Sequence, residues 1–118
     1  MDIKNKLKSN KIIKAIRKCA LNPDKVRVTD RARASMVSLR FTKNEVCEAI
    51  VDWIDAKKAI EQDISYHEIY AGQKLYIMKP KIGEAQRYVK VSLLENDGKF
   101  YIMRIVSAHE NNGEGAGK

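Results

Sequence analysis

A chain of 118 residues, 44% of them hydrophobic, is long enough for one domain with a single apolar core. No apolar run approaches the length that spans a bilayer, so no transmembrane helix is predicted and no membrane partner is expected. The two cysteines, Cys19 and Cys47, form neither a disulfide framework nor a metal-ligand spacing. This favours a cytoplasmic location, and neither a metal nor a small-molecule cofactor is predicted.

The net charge of +8 is unevenly distributed along the chain. Residues 1–43 carry 13 Lys and Arg against 3 Asp, a net charge of +10, while residues 44–118 carry a net charge of −2. A half this basic is a candidate surface for a polyanion such as RNA. A solvated helix face has the same composition, so both interpretations stay open.

The first predicted helix is amphipathic. Apolar residues recur at three- and four-residue intervals from about Ile3 to Cys19, and Asn22-Pro23-Asp24 then ends the pattern. The alternation from Lys25 to Val28 predicts a short edge strand.

Two further helices are predicted from their N-terminal caps. Thr29 or Asp30 can cap a second helix over residues 31–38, and Thr42-x-x-Glu45 is a capping-box spacing that opens a third. The third helix is expected to bury its apolar positions, which are Val46, Cys47, Ile50, Val51 and Ile54.

The remainder of the chain alternates as strands do. Four strands are predicted, over Tyr66–Tyr70, Lys74–Lys79, Arg87–Glu95 and Lys99–Ala108. Short connections favour antiparallel neighbours. The sequence therefore predicts an α+β domain over residues 1–110, with N-terminal helices on one face of an antiparallel sheet of four or more strands. Residues 111–118 are predicted to be a disordered tail.

Asp97-Gly98 predicts a two-residue hairpin turn between the last two strands. Asn96 would then pair with Lys99, and further along the register would place Lys90 opposite Ile105, Tyr88 opposite Ser107 and Gln86 opposite His109. One face would carry Val89, Val91, Leu93, Phe100, Ile102 and Val106, interrupted by Arg87 and Arg104. The other would gather Gln86, Tyr88, Lys90, Ser92, Ser107 and His109. A one-residue change of register would move His109 to the aliphatic face.

The groups on the polar face suit cleavage of RNA by its own 2′-hydroxyl. That reaction needs a base, an acid and cations beside the phosphate, while RNA supplies the nucleophile. We assign proton transfer to His109 and proton transfer or phosphate orientation to Tyr88. Phosphate stabilisation is assigned to Lys90 together with either Arg87 or Lys79. Each residue also has a structural interpretation, since a histidine at a strand end, a mid-strand lysine and sheet tyrosines are common without any catalytic role. His67, on a different predicted strand, is the only other candidate for a catalytic pair of histidines, and it also has a structural interpretation.

Several short motifs occur in an order that resembles the MqsR-type toxins, the messenger-RNA interferases of toxin–antitoxin pairs. They are Val26-Arg27-Val28-Thr29, two helices with Cys47 in the second, Lys79-Pro80, Gln86-Arg87-Tyr88-Val89-Lys90, and Ile105-Val106-Ser107. The resemblance covers about residues 12–110. It implies a RelE-like fold, metal-independent cleavage of free or ribosome-associated messenger RNA, and a cognate antitoxin protein as partner.

The resemblance also implies site residues. Tyr88 matches the active-site tyrosine of the family, Lys57 or Lys58 matches a lysine after the third helix, and Gln73 matches a glutamine that precedes the proline. The C-terminal lysine of the family falls on His109. Because imidazole changes its protonation near neutral pH whereas a lysine amine stays charged, this replacement changes the expected chemistry.

A second class of function stays open at this point. In a non-catalytic RNA- or ribosome-binding module, the basic N-terminal half would bind phosphates and the sheet tyrosines would stack on bases. In the nuclease interpretation, by contrast, the expected phosphate- and RNA-binding residues are Lys57, Lys58, Gln73, Lys79, Gln86 and Arg87.

Overall fold

The computed structural model describes residues 6–64, 73–96 and 98–110. The predicted strand over Tyr66–Tyr70, with His67, and the predicted tail over residues 111–118 lie outside these ranges. Within them the chain forms an α+β fold of three α-helices and six strands. The helices are α1 (Asn10–Ala20), α2 (Asp30–Leu39) and α3 (Lys43–Asp55). The strands are β1 (Val26–Val28), β2 (Glu61–Ile64), β3 (Lys74–Met78), β4 (Lys81–Ile82), β5 (Ala85–Asn96) and β6 (Lys99–Glu110).

Helix α1 begins later than its apolar spacing predicted. The Ser9 side chain caps it by accepting a hydrogen bond from the Ile12 amide at 3.3 Å. Before the cap, the Leu7 amide donates to the Ile60 carbonyl at 2.7 Å, and Lys6 forms a β-bridge with Glu61. The prediction of helix over residues 6–9 was therefore wrong, because Leu7 is buried from an extended segment beside β2.

The caps predicted for α2 and α3 are confirmed. Thr29 accepts from the Ala32 amide at 3.1 Å. Thr42 and Glu45 form the reciprocal capping box, with the Thr42 amide donating to Glu45 Oε1 at 2.9 Å and the Glu45 amide to Thr42 Oγ1 at 3.1 Å. Of the five apolar positions of α3, Val46, Cys47 and Ile50 are buried and the other two are partly buried.

The sheet is mixed rather than wholly antiparallel as predicted. Its strand order is β1-β6-β5-β3-β2, with β4 paired to β5 outside this path. Strand β1 is at the edge, as predicted, but it runs parallel to β6, while the other strand pairs are antiparallel. Two strands were not predicted. The sequence Glu-Gln-Asp-Ile of β2 has no apolar alternation, and β4 is two residues long, between Pro80 and a turn where Gly83 has a φ of 69°.

One apolar cluster joins all three helices to the sheet. Helix residues Ile16, Ala32, Val46 and Ile50 are buried in it together with the sheet residues Val89, Val91, Met103 and Ile105. Both cysteines are thiols rather than disulfide partners and are buried in the same cluster, and burial raises the pKa of the Cys47 thiol to about 11. The described helices are all too short and too polar to cross a membrane.

Candidate functional site at the end of the β5–β6 hairpin

The β5–β6 pairing begins as predicted and then shifts twice. Asn96 pairs with Lys99 across the turn, where Gly98 has a φ of 77° that glycine adopts without steric cost. Strand β6 then contains one extra residue opposite the Leu94/Glu95 step and another opposite the Lys90/Val91 step. Each β-bulge moves the register by one residue, so the two together move it by two.

Between the two bulges, β6 turns its side chains the opposite way from the prediction. Met103 pairs with Leu93 and Ile105 with Val91, and both β6 residues are fully buried in the core. Ile102 pairs with Leu94 and Arg104 with Ser92, so both lie on the face that also carries Lys90. The predictions that Ile102 and Arg104 share the aliphatic face, and that Ile105 faces Lys90, were wrong for this reason. The side chain of Phe100 lies outside the described part of the chain.

Beyond the second bulge the predicted faces return with new partners. His109 pairs with Tyr88, where Ser107 was predicted, and Ser107 pairs with Lys90. The predicted pairing of Gln86 with His109 was therefore wrong, although Tyr88, Lys90 and His109 do share a face. The rings of Tyr88 and His109 are stacked, with centroids 4.9 Å apart and planes inclined by 15°. Lys90 Nζ lies 5.6 Å from the centroid of the Tyr88 ring, within cation–π range.

The histidine is held in one tautomer. His109 Nδ1 is 2.8 Å from the carbonyl oxygen of Glu110. A carbonyl can only accept a hydrogen bond, so Nδ1 carries the proton. In the neutral ring Nε2 then has a free lone pair, which is the arrangement that a general base requires.

The phenol of Tyr88 is kept protonated by its surroundings. Burial raises its pKa above the ordinary value of 10.0, and the carboxylates of Glu61 and Asp63 raise it further because a phenolate would repel them. At neutral pH Tyr88 can therefore donate a proton or a hydrogen bond, but it cannot act as a base.

An ion pair that the sequence did not predict borders the site. Lys79 Nζ lies 3.4 Å from a carboxylate oxygen of Glu61, and Gln86 Nε2 donates to the Lys79 carbonyl at 2.9 Å. Glu61 pairs with Ile77, which pairs with Lys90, so all three lie on one face of the sheet. Glu61 went unrecognised because it lies in β2, whose polar sequence carries no strand signal.

Four other predicted RNA-binding residues lie away from this cluster. Arg87 follows the opposite face, where its guanidinium carbon is 5.7 Å from the centroid of the Phe41 ring. Lys57 and Lys58 follow α3 and line a separate groove. Gln73 precedes β3 at the end away from Tyr88, about 16 Å along the strand from Met78 at 3.3 Å per residue.

The face that carries the site is buried at its centre and exposed at its edge. The centre of its sheet face is buried, since Leu75, Ile77, Ser92 and Ser107 are each at most 6% exposed. At the edge, His109 lines a shallow groove of about 410 Å³ together with Glu110 and the last turns of α2. A ligand therefore has access to His109 from the α2 side. No group of three or more His, Cys, Asp or Glu side chains in the described ranges is placed to hold a metal ion.

The fold and the site together define a small α+β protein with a stacked tyrosine–histidine pair beside lysines at one end of its sheet. No family model matches the chain. No curated protein and no solved structure matches it either.

Proposed function

We propose that the protein is a metal-independent endoribonuclease that cleaves messenger RNA. The observation that carries this proposal is the Tyr88–His109 pair, which brings a proton donor and a potential base to 4.9 Å between ring centroids. Neither group needs a bound cofactor, because the 2′-hydroxyl of RNA is the nucleophile.

In the proposed reaction, His109 Nε2 takes the proton of the 2′-hydroxyl. The 2′-oxygen forms a bond to phosphorus while the bond from phosphorus to the 5′-oxygen breaks. Tyr88 donates its phenolic proton to the departing 5′-oxygen. The products are a 2′,3′-cyclic phosphate and a 5′-hydroxyl, and the proton on His109 returns to Tyr88 through solvent.

Two lysines are placed to stabilise charge on the phosphate. Lys90 lies on the face of Tyr88 and His109, and its ammonium group is 5.6 Å from the Tyr88 ring. Lys79 is held at the border of the site by Glu61, so an incoming phosphate would compete with that carboxylate. We assign no phosphate contact to Arg87, whose guanidinium lies by Phe41.

The proposal extends to the class of toxin. The order of the motifs around Val26–Thr29, Lys79-Pro80, Gln86–Lys90 and Ile105–Ser107 supports a RelE-like fold and an MqsR-type toxin with its own antitoxin. In this assignment His109 takes the position of the lysine of the family, which makes it the proton-transfer residue rather than a fixed cation.

A non-catalytic RNA- or ribosome-binding module is the second candidate. The net charge of +10 over residues 1–43 favours it, because nonspecific RNA binding is driven mainly by cations that neutralise phosphates.

Cleavage of purified messenger RNA in EDTA distinguishes the two. The endoribonuclease yields fragments that end in a cyclic phosphate or its 3′-phosphate product, and Tyr88→Phe should reduce the rate by about 100-fold or more. Tyr76→Phe is the matched control, because Tyr76 is buried on the core face and should leave the rate unchanged. RNA binding without cleavage by the unaltered protein would favour the binding module and refute the nuclease.

A further inference from the structure

A second surface feature lies where the chain enters α1 and leaves α3. Here a groove of about 470 Å³ is lined by lysines and aliphatic side chains. Four of its ten lining residues are lysines and none is acidic. The lysines, all exposed, are Lys6, Lys8, Lys57 and Lys58.

Backbone hydrogen bonds hold both walls of this lysine groove. On one wall, the amide of Leu7 donates to Ile60. On the other, the amide of Lys57 donates to the carbonyl of Ile54 at 2.9 Å, and the amide of Lys58 to that of Trp53 at 3.2 Å. The groove is therefore formed before any ligand arrives, which lowers the ordering cost of binding.

The lysines of the groove are available to a ligand. Lys58 Nζ lies 5.3 Å from the centroid of the Trp53 ring. No ion pair joins Lys6, Lys8 or Lys57 to another residue in the described ranges. Like charges around one groove repel, so an anionic ligand with several charges would be favoured over a neutral one.

The floor of the groove is aliphatic. Ile13 and Ile54 are partly exposed in it, above Leu7 and Ile60, which are almost fully buried. No aromatic ring is among the lining residues. Single-stranded RNA is usually held by aromatic rings on which bases stack, whereas an aliphatic floor suits the apolar side chains of a peptide.

We propose that this groove binds an acidic amphipathic segment of a partner protein. The apolar side chains of the segment contact Ile13 and Ile54, and its carboxylates pair with the four lysines. The groove contains none of Tyr88, Lys90 or His109, so the proposal is independent of the nuclease.

The test uses three fluorescein-labelled probes with the full-length protein, read by fluorescence anisotropy. The first is a synthetic peptide of about 14 residues with leucines at helical spacing and glutamates elsewhere. The second has serine in place of every leucine, and the third is an oligouridylate of about the same length. The leucine–glutamate peptide should bind at least about tenfold more tightly than either of the others, with an affinity that falls as salt rises.

Two independent variants locate the binding. Lys8→Glu combined with Lys58→Glu reverses two charges of the rim, and Ile13→Gln places a polar group on the floor. Each should weaken peptide binding by about tenfold or more, after thermal melting shows that the variant is folded. Lys18→Glu combined with Lys81→Glu is the matched control, because both side chains are exposed and outside the groove, and it should change binding by less than about twofold.

Three results would overturn the proposal. Equal binding of the leucine and serine peptides would show that the aliphatic floor does not contribute and that the groove is only a general cationic surface. If oligouridylate bound more tightly than the leucine–glutamate peptide, and if this binding were lost in the Lys8→Glu/Lys58→Glu variant, the groove would be an RNA-binding site. No binding of the leucine–glutamate peptide, or equal loss in the control variant, would exclude this docking site.

Discussion

The two faces of the β5–β6 hairpin bury different kinds of side chain. The face toward the helices buries Val91, Met103 and Ile105 completely among other apolar side chains. The opposite face buries the hydroxyl-bearing Ser92 and Ser107 and leaves Tyr88 and His109 partly exposed. Burial stabilises the fold on the first face. On the second, burial raises the pKa of the Tyr88 phenol beside the His109 ring, which is the arrangement that the proposed proton transfer would use.

The largest expected effect is the loss of RNA cleavage rate in His109→Ala, on the polar face of the hairpin. Loss of a general base typically lowers a rate by about 10²- to 10⁴-fold, equivalent to about 3–5 kcal/mol in transition-state stabilisation. The measurement is the initial rate of RNA cleavage in EDTA, with Lys81→Ala as a control at the exposed position of strand β4. Because His109 is partly exposed at a strand end, thermal melting should be little changed. A rate that survives the substitution would remove His109 from the mechanism.

The first bulge can be tested by comparing two neighbouring isoleucine positions. Ile105→Ala deletes a fully buried side chain and should reduce the free energy of unfolding by about 2–5 kcal/mol. Ile102→Ala lies on the other face and is only partly buried, so it should cost about half as much or less. Urea denaturation of both variants gives the two values. The reverse order would show that β6 keeps the unshifted register across this segment.

Local signals explain which parts of this fold were predictable. Thr29 and Thr42 cap helices through residues three positions away, and Asp97-Gly98 sets the pairing of Asn96 with Lys99. Strand β2 carries no such local signal, because its polar residues are strand-forming only beside β3.

The two β-bulges, like strand β2, could not be predicted from the sequence, because each depends on contacts across the sheet. Tyr88 and His109 share a face as expected only because the two one-residue shifts add up to two, and a shift of two residues returns each side chain to its original face. The shared face of Tyr88, Lys90 and His109 was therefore predictable, but their strand pairing was not, and Glu61 was not predictable at all.

Titration of Tyr88 measures how strongly the surroundings on the polar face disfavour a negative charge. Its pKa lies above 10.0 because burial and two carboxylates disfavour the phenolate. The phenol therefore stays neutral up to about pH 10, and its ionisation in the unfolded chain lowers stability only above that pH. The difference in ultraviolet absorbance between the unaltered protein and Tyr88→Phe should show a midpoint above 10.0. A lower midpoint would mean that a cation dominates the site and that Tyr88 can be ionised during catalysis.

The smallest expected effect concerns the hydroxyl of Ser92. Its Oγ is buried and has no hydrogen-bond partner among the described residues, so Ser92→Ala removes an unsatisfied polar atom. The free energy of unfolding should stay the same or rise by up to about 1 kcal/mol. Val91→Thr introduces the same hydroxyl on the core face, where it should cost about 1–3 kcal/mol. A loss of unfolding free energy above about 1 kcal/mol for Ser92→Ala would show that the Ser92 hydroxyl does form a hydrogen bond. Its burial would then stabilise the fold rather than weaken it.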